Sequence, residues 1–578
     1  MTTITMMSGA RTGAGSLVRW LTAQALARDL TAFVAPGVEV ARAHGIDLAA
    51  AGLRVVATPR HAAVLLLVGD IPPGLRTATA VVYAQMARPR AITALGTDGA
   101  PPLPAPDVAV ALDQEALVTG IKELRRIVMS GAWSPDAPAF DAPEIQPTKE
   151  DEGDDMGGMD MGGMGHDDNM GDMGGMDHGH MAGMSHDDKG HGDMGSMDMG
   201  SMDMGGMDMG GMDMGGGDMG GMDMGGGGMS MVMMTKDLPR SADGLPMEWV
   251  EAPFGPLFPG LPGGLALSFT LDGDAVAKAT ITPGTLGRGL DATWPGSAAT
   301  LPDRLARLDP LTPVSYRLLA VRALEDIVGA TVDAVTSAAR VGALERERAL
   351  SHLGWLALFA GLLGDRWIED CAASLQLALV RTDDVATIER LRGEVGACVR
   401  RVRRTPYLRR RLVGIGTPRA DKGHPADSVR FTAGSLPRGP VARAAGQAND
   451  ARADDPAYRR LGFAPIVRDG GDAWSRLDVR LTELEQSLDL VLAVGAVVMP
   501  ERFLPTGAGG SGVATVETPR GAATLRLTVE GGMARDVTLD TPSAHNRALI
   551  EKVAEGRELA DALLGVASLD LSPWEMDR

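Results

Sequence analysis

The densest group of metal-ligating side chains in this sequence is Met176, His178, His180, Met181, Met184 and His186. Thioethers suit Cu(I) and Ag(I), and imidazoles add capacity for Cu(II), Ni(II) or Zn(II). Spacings of one to three residues let one flexible turn bring two or three donors onto a single ion. Copper or another soft metal is the expected guest. The group lies in a tract, residues 150–234, that holds about 25 of the chain's 34 methionines and settles into an MDMGG repeat over Met202–Met224. The same composition reads equally well as a spacer. Glycine takes every second or third place and branched or aromatic side chains are almost absent, so nothing offsets the entropy of ordering and a disordered linker is expected.

Cys371 and Cys398 are the chain's two cysteines. There is no CxxC pair, so the chain by itself cannot hold an iron–sulfur cluster on four thiolates or an all-cysteine zinc site. Both cysteines fall in helical segments and read as small buried hydrophobes. The lack of a disulfide framework implies a reducing compartment. Other chemistry-bearing residues have blander readings beside the functional ones. Arg60 and His61 precede an apolar run, where Arg60 could pair with Asp98 or Asp113 or simply be exposed. The run Arg400–Arg411 reads as a solvated helix end or a docking face for an acidic partner. Asp570, Glu575 and Asp577 could carry protons or face solvent.

The totals set bounds. At 578 residues the chain exceeds one core and should form two to four domains. The formal charge of -20 argues against nucleic acid as a partner. The longest apolar runs, His352–Gly364 and Leu488–Pro500, are shorter than the roughly 18–20 residues that span a bilayer. No basic region followed by an apolar run opens the sequence, so no secretory signal is read.

These residues must be held by two folded segments around the tract. In the first, Ser16–Ala32 has helical spacing, and Leu53–Ala57, Ala63–Val68, Ala91–Leu95 and Val108–Leu112 read as strands. Helices are expected at Leu75–Met86 and Gln114–Met129. Strands alternating with helices predict an α/β domain with a parallel sheet over 1–130. A linker follows over 131–239, Pro/Asp-rich and then Met/Gly/Asp/His-rich. The domain over 240–578 is expected to be α+β and mostly helical. It has a hairpin at Leu265–Asp272 and Ala275–Ile281, helices over 311–405 broken near Gly342 and Gly364, and a helix at Trp474–Val498. Strands at Thr515–Glu517 and Thr524–Val529 precede a closing helix at Ser543–Leu564.

Two stretches of the first segment, TPRHAAVLLLVGD at Thr58–Asp70 and VVYAQMARPRAITALG at Val81–Gly96, resemble the small, cluster-bearing subunit of respiratory complex I and membrane-bound nickel–iron hydrogenases. The second segment resembles the large partner of the same enzymes, the complex I quinone-site subunit or hydrogenase large subunit. The residues that carry this are Phe254–Val276, Gly284–Leu290, Gly470–Leu488, Val516–Gly521, Thr541–Asn546 and Gly556–Arg578. The resemblance implies a fusion of the two subunits, with a quinone cavity between them.

Departures from that pattern bear on function. The family's cluster cysteines would fall near Thr97-Asp98-Gly99 and Leu112-Asp113-Gln114, and both places lack cysteine. Hairpin histidines are replaced by Phe258 and the Pro262-Gly263-Gly264 turn. Gly287 stands where a histidine precedes Arg288. The two CxxC pairs that hold nickel–iron are missing. The resemblance thus implies a subunit of a membrane-associated respiratory complex related to NADH:quinone oxidoreductase and hydrogenases, with no cluster or nickel–iron centre of its own. Whether it is itself an enzyme stays open. Partners would be membrane ion-translocating subunits and other peripheral-arm subunits, at the cytoplasmic side of the membrane. The two halves should meet through the Pro72–Arg76 loop and Thr97–Gly99 turn on one side and the Phe254–Gly264 hairpin loop on the other. Phe258, Pro262, Gly287 and Arg288 mark the degenerate quinone positions, and the cavity is expected to be less polar than a quinone-reducing one. The rival expectation is a soft-metal binding protein that works through the Met/His tract.

Overall fold

The computed structural model describes residues 21, 23–130, 249–282, 284–287, 296–418, 437–499 and 509–576. The Met/His group at 176–186, the linker and Arg288 lie outside the described residues. The segments on either side of the tract belong to one compact unit, Met1–Ile145 with Met234–Arg578.

The first module runs β1 (Leu30–Ala35), α1 (Val38–Ala43), β2 (Leu53–Val55), β3 (Val64–Val68), α2 (Pro73–Gln85), β4 (Ala91–Leu95), β5 (Val108–Val110) and α3 (Gln114–Ser130). Its five strands are all parallel, in the order β2-β1-β3-β4-β5. Every residue of β3 and β4 is buried, as in strands covered on both faces. The parallel α/β expectation holds. One boundary does not. The helical spacing extends through Ala32, but the helix ends by residue 28 and LTAFVA forms β1, buried throughout. Pairing on both sides, with β2 and β3, overrides the local period there.

The second module opens with an antiparallel sheet of β6 (Val250–Phe254), β7 (Leu267–Asp272) and β8 (Ala275–Ile281). Five long helices follow: α4 (Pro313–Val328), α5 (Ala334–Leu363), α6 (Arg366–Val380), α7 (Val385–Arg404) and α8 (Ala473–Val494). Asp333, Asp365, Asp384 and Asp472 cap α5 to α8, each accepting from a backbone N–H three residues on. A second antiparallel sheet has the order β10-β11-β12-β9, from β9 (Gly296–Ser297), β10 (Gly510–Thr518), β11 (Gly521–Glu530) and β12 (Met533–Asp540).

The helix expected to break near Gly342 runs through it. There the missing Cβ lets the Ala496 carbonyl approach, and the break falls at Gly329–Asp333 instead. The single closing helix comes as Pro542–Asn546, Ile550–Ala554 and α9 (Leu559–Ala567).

Candidate functional site

Strand order reverses between β1 and β3, and in open parallel sheets the crevice beyond the carboxyl ends at such a point is where ligands bind. Here the second module fills much of it. The Gly263 N–H donates to the Glu39 carboxylate at 2.7 Å, just after β1. Only glycine fits at 263, because a Cβ would overlap the Pro36 carbonyl. Across the crevice, the Gly74 N–H at the start of α2 donates to the Leu286 carbonyl at 2.9 Å. Leu286 and Trp574 belong to the first module's own apolar cluster. Arg42 Nε donates to Gln376 at 3.0 Å, and Arg381 donates to the Gly45 carbonyl and to Gln114, both at 2.9 Å.

The expected interface is thus corrected in detail. The Pro72–Arg76 loop takes part, but against Leu286 and Gly287. The hairpin loop meets Pro36–Glu39 instead. The Thr97–Gly99 turn is bonded within itself, Thr97 Oγ1 donating to the Gly99 carbonyl.

Below this seam lies a cavity of about 240 Å³, walled by Glu39 of α1, the Gly260–Leu265 hairpin loop, α5, α6, Arg520 and Asp570. Its walls are apolar at Leu350, Trp355, Phe359 and Val498, yet carry three carboxylates. Burial pushes the Glu39 carboxyl up, and the Gly263 N–H pulls it back only in part. Glu347 caps α4 in place of Thr312, accepting from Val314 N at 2.5 Å, Ser315 N at 2.9 Å and Ser315 Oγ. Burial outweighs these donors and pushes its pKa up to about 7. Asp570 has a left-handed backbone, φ 59°, a conformation that clusters at functional sites. Its Oδ1 takes Arg520 Nε at 3.3 Å, while Oδ2 has Arg480 at 3.5 Å and no hydrogen-bond donor. Ser351 Oγ is also buried without a partner. These open positions give the cavity unused hydrogen-bonding capacity, mostly as acceptor. Burial opposes the Arg520 charge, but Asp570, Asp309 and Glu575 outweigh it and hold the guanidinium protonated.

Behind the cavity wall is a buried ionic network. Arg443 donates from Nε to Glu483 and from Nη1 to Glu517, both at 2.8 Å, and has Asp450 at 3.0 Å. Arg452 pairs with Asp450 at 2.7 Å and Glu345 at 3.2 Å, and Tyr458 and Ser487 hydroxyls also donate to Glu345. His352 Nε2 lies 3.0 Å from Glu483.

Of Phe258, Pro262, Gly287 and Arg288, Pro262 lines the cavity. Phe258 does not. It packs edge-on against Phe254, with centroids 5.1 Å apart, on the apolar cluster of the hairpin. Gly287 lies at the seam beside Gly74. Glu39, Glu347 and Arg520 reach this largely apolar cavity from elements distant in sequence. Asp570 and Glu575 are buried, and burial pushes Glu575 up to about 7; Asp577 lies outside the described residues. Of the two readings of Arg60 the structure has the second: its side chain is exposed, and Asp113 caps α3 by accepting from Ala116 N at 2.8 Å. In the Arg400–Arg411 run, Arg403 pairs with Asp478 at 2.9 Å and Arg411 donates to the Leu363 carbonyl, so part of it braces the bundle.

Residues 382–503 match the profile of the respiratory-chain NADH dehydrogenase 49 kDa subunit. A curated NADH-quinone oxidoreductase subunit from Desulfotalea psychrophila is 30% identical over 380 residues, which cover 58% of this chain and 98% of that protein. The chain belongs to the 49 kDa subunit family of NADH-quinone oxidoreductases. Another relative, the membrane-bound hydrogenase subunit alpha of Pyrococcus furiosus, is 29% identical over 389 residues, covering 56% of this chain and 86% of that one. The fold is shared with a chain of an archaeal respiratory complex, the membrane-bound sulfane sulfur reductase, at TM-score 0.50 and 24% identity, covering 57% of this chain and 99% of that one.

The turns after β4 and β5 offer Thr97, Asp98 and Asp113, and the chain's two cysteines are both in the second module. A thiolate-held cluster does not fit the first module.

Glu347 gives this member of the 49 kDa family a testable pH signature. A carboxyl raised from 4.5 to about 7 on folding contributes stability that is present below pH 4.5 and lost as pH rises through 7. Between those limits the native chain is expected to lose up to about 3 kcal/mol relative to Glu347→Gln. Glu575 titrates in both proteins and cancels. Denaturant unfolding of both at either end of the window checks this, and parallel pH profiles would count against it.

Proposed function

We propose that this chain is a fused, non-redox subunit of a membrane-associated respiratory complex, in which a small-subunit-like module and a 49 kDa-type module are joined in one polypeptide. It docks at the cytoplasmic side on membrane ion-translocating subunits and other peripheral-arm subunits, and electrons pass through other chains. The observation that carries this reading is similarity along almost the whole Desulfotalea psychrophila subunit, combined with a first module seated on the second through Glu39, Gly74 and Trp574. No helix among the described residues is long and apolar enough to cross a membrane. A quinone-type head group is the ligand class proposed for the cavity, and the open acceptor at Asp570 Oδ2 favours the reduced, hydroxyl-bearing form. Membranes from cells carrying the tagged chain, solubilised in mild detergent, should yield it with integral membrane subunits. Recovery of the chain alone would sink the proposal.

The Met/His tract supports a second reading, soft-metal binding at Met176, His178, His180, Met181, Met184 and His186. Anaerobic Cu(I) titration is expected to load several equivalents on the full chain and no more than the one that Cys371 and Cys398 can hold on a chain lacking 150–234. Equal binding by both would remove the tract from consideration.

A further inference from the structure

Cys371 and Cys398 are 27 residues apart on separate helices, yet in the fold they touch. Cys371 Sγ is 2.7 Å from Cys398 Sγ, across the packed faces of α6 and α7. Both are free thiols. Cys371 is partly accessible, whereas Cys398 is buried. The pair bridges two helices, one of which has structural consequences. From the same α6, Gln376 and Val380 line the cavity, and Gln376 accepts the hydrogen bond from Arg42 of the first module. Arg381, one residue past its end, bonds Gly45 and Gln114. Whatever fixes α6 against α7 fixes both a cavity wall and the module seam.

We propose that Cys371 and Cys398 form a reversible dithiol–disulfide site, oxidised by small-molecule disulfides, that staples α6 to α7. The Cys371 thiolate attacks one sulfur of the small disulfide, forming a mixed disulfide and releasing one small thiol. Cys398 then gives up its proton and attacks the Cys371 sulfur, releasing the second small thiol. Overall the two protein thiols are oxidised by two electrons and the small disulfide is reduced to two thiols. The order follows from access. It also follows from acidity, since burial and the neighbouring thiol push Cys398 up and leave it a poor first nucleophile.

The test uses the full chain, whose thiol count of two is not confused by other cysteines. Incubation with oxidised glutathione should take free thiols, counted under denaturing conditions, from two to zero. Trypsin should then release peptides 367–381 and 393–400 joined and lighter by two hydrogens than their sum. Reduction should restore both thiols. Cys398→Ser should instead hold one glutathione on Cys371, and Cys371→Ser should react far more slowly. Closing a loop of this length should also raise the thermal midpoint of the oxidised chain. Two thiols persisting in oxidant, glutathione on both cysteines with no internal link, or bonds between separate chains would each overturn the proposal.

Discussion

Arg443→Met is expected to cost the fold about 3–5 kcal/mol, the scale of breaking a buried ionic network from one side. The guanidinium is wholly buried and faces Glu483, Glu517 and Asp450 within 3.0 Å. Burial opposes the Glu483 charge, yet Arg443 with His352 and Arg452 holds its pKa well below the usual range. Removing the cation leaves three buried carboxylates with Arg452, Arg348 and Arg480 as cations nearby. A double variant with Glu483→Gln should regain part of the loss, because it removes one uncompensated charge. Denaturant unfolding of the single and double variants measures both. A single-variant loss below about 1 kcal/mol, the scale of an exposed pair, would mean that water reaches the network.

Gly263→Ala should open the seam between the modules. The new Cβ would overlap the Pro36 carbonyl, and both partners are backbone, so no side chain can swing away. Overpacking of this kind costs about 1–3 kcal/mol where side chains can adjust, and more is expected here. The Gly263 N–H would also draw away from Glu39. Gly393→Ala is the control: it lies inside α7 with open space where its Cβ would go, and should stabilise by about 0.5–1 kcal/mol. Peptide-level hydrogen exchange should show protection lost at 36–43 and 260–265 in the first variant only. Unchanged protection there would mean that the seam is held by its apolar contacts alone.

Much of the fold was legible because local pattern and tertiary role agree. The continuous apolar runs of β3 and β4 and the Gly273-Asp274 turn of the β7–β8 hairpin are of this kind. β1 was misread because its helix-like lead-in is followed directly by residues that only sheet pairing makes extended. The site was legible at one wall. Pro262 could be placed from the hairpin, but Glu39 and Glu347 are single carboxylates in ordinary helical stretches, and such residues usually face solvent. Their burial follows from partners 224 and 33 residues away. The same holds for Glu345 and Arg452, 107 apart, and for the two cysteines, whose contact depends on how α6 folds back on α7.

The apolar cluster of the first module contains Trp574. On the ribosome, that side chain is made about 440 residues after Ser130, and at ordinary elongation rates on the order of a minute later. The sheet can therefore assemble early, but its crevice stays uncapped and greasy while the tract and the whole second module emerge. Nascent chains of this protein should be chaperone clients through most of their synthesis, and premature release should be punished by aggregation rather than by a stable N-terminal fragment.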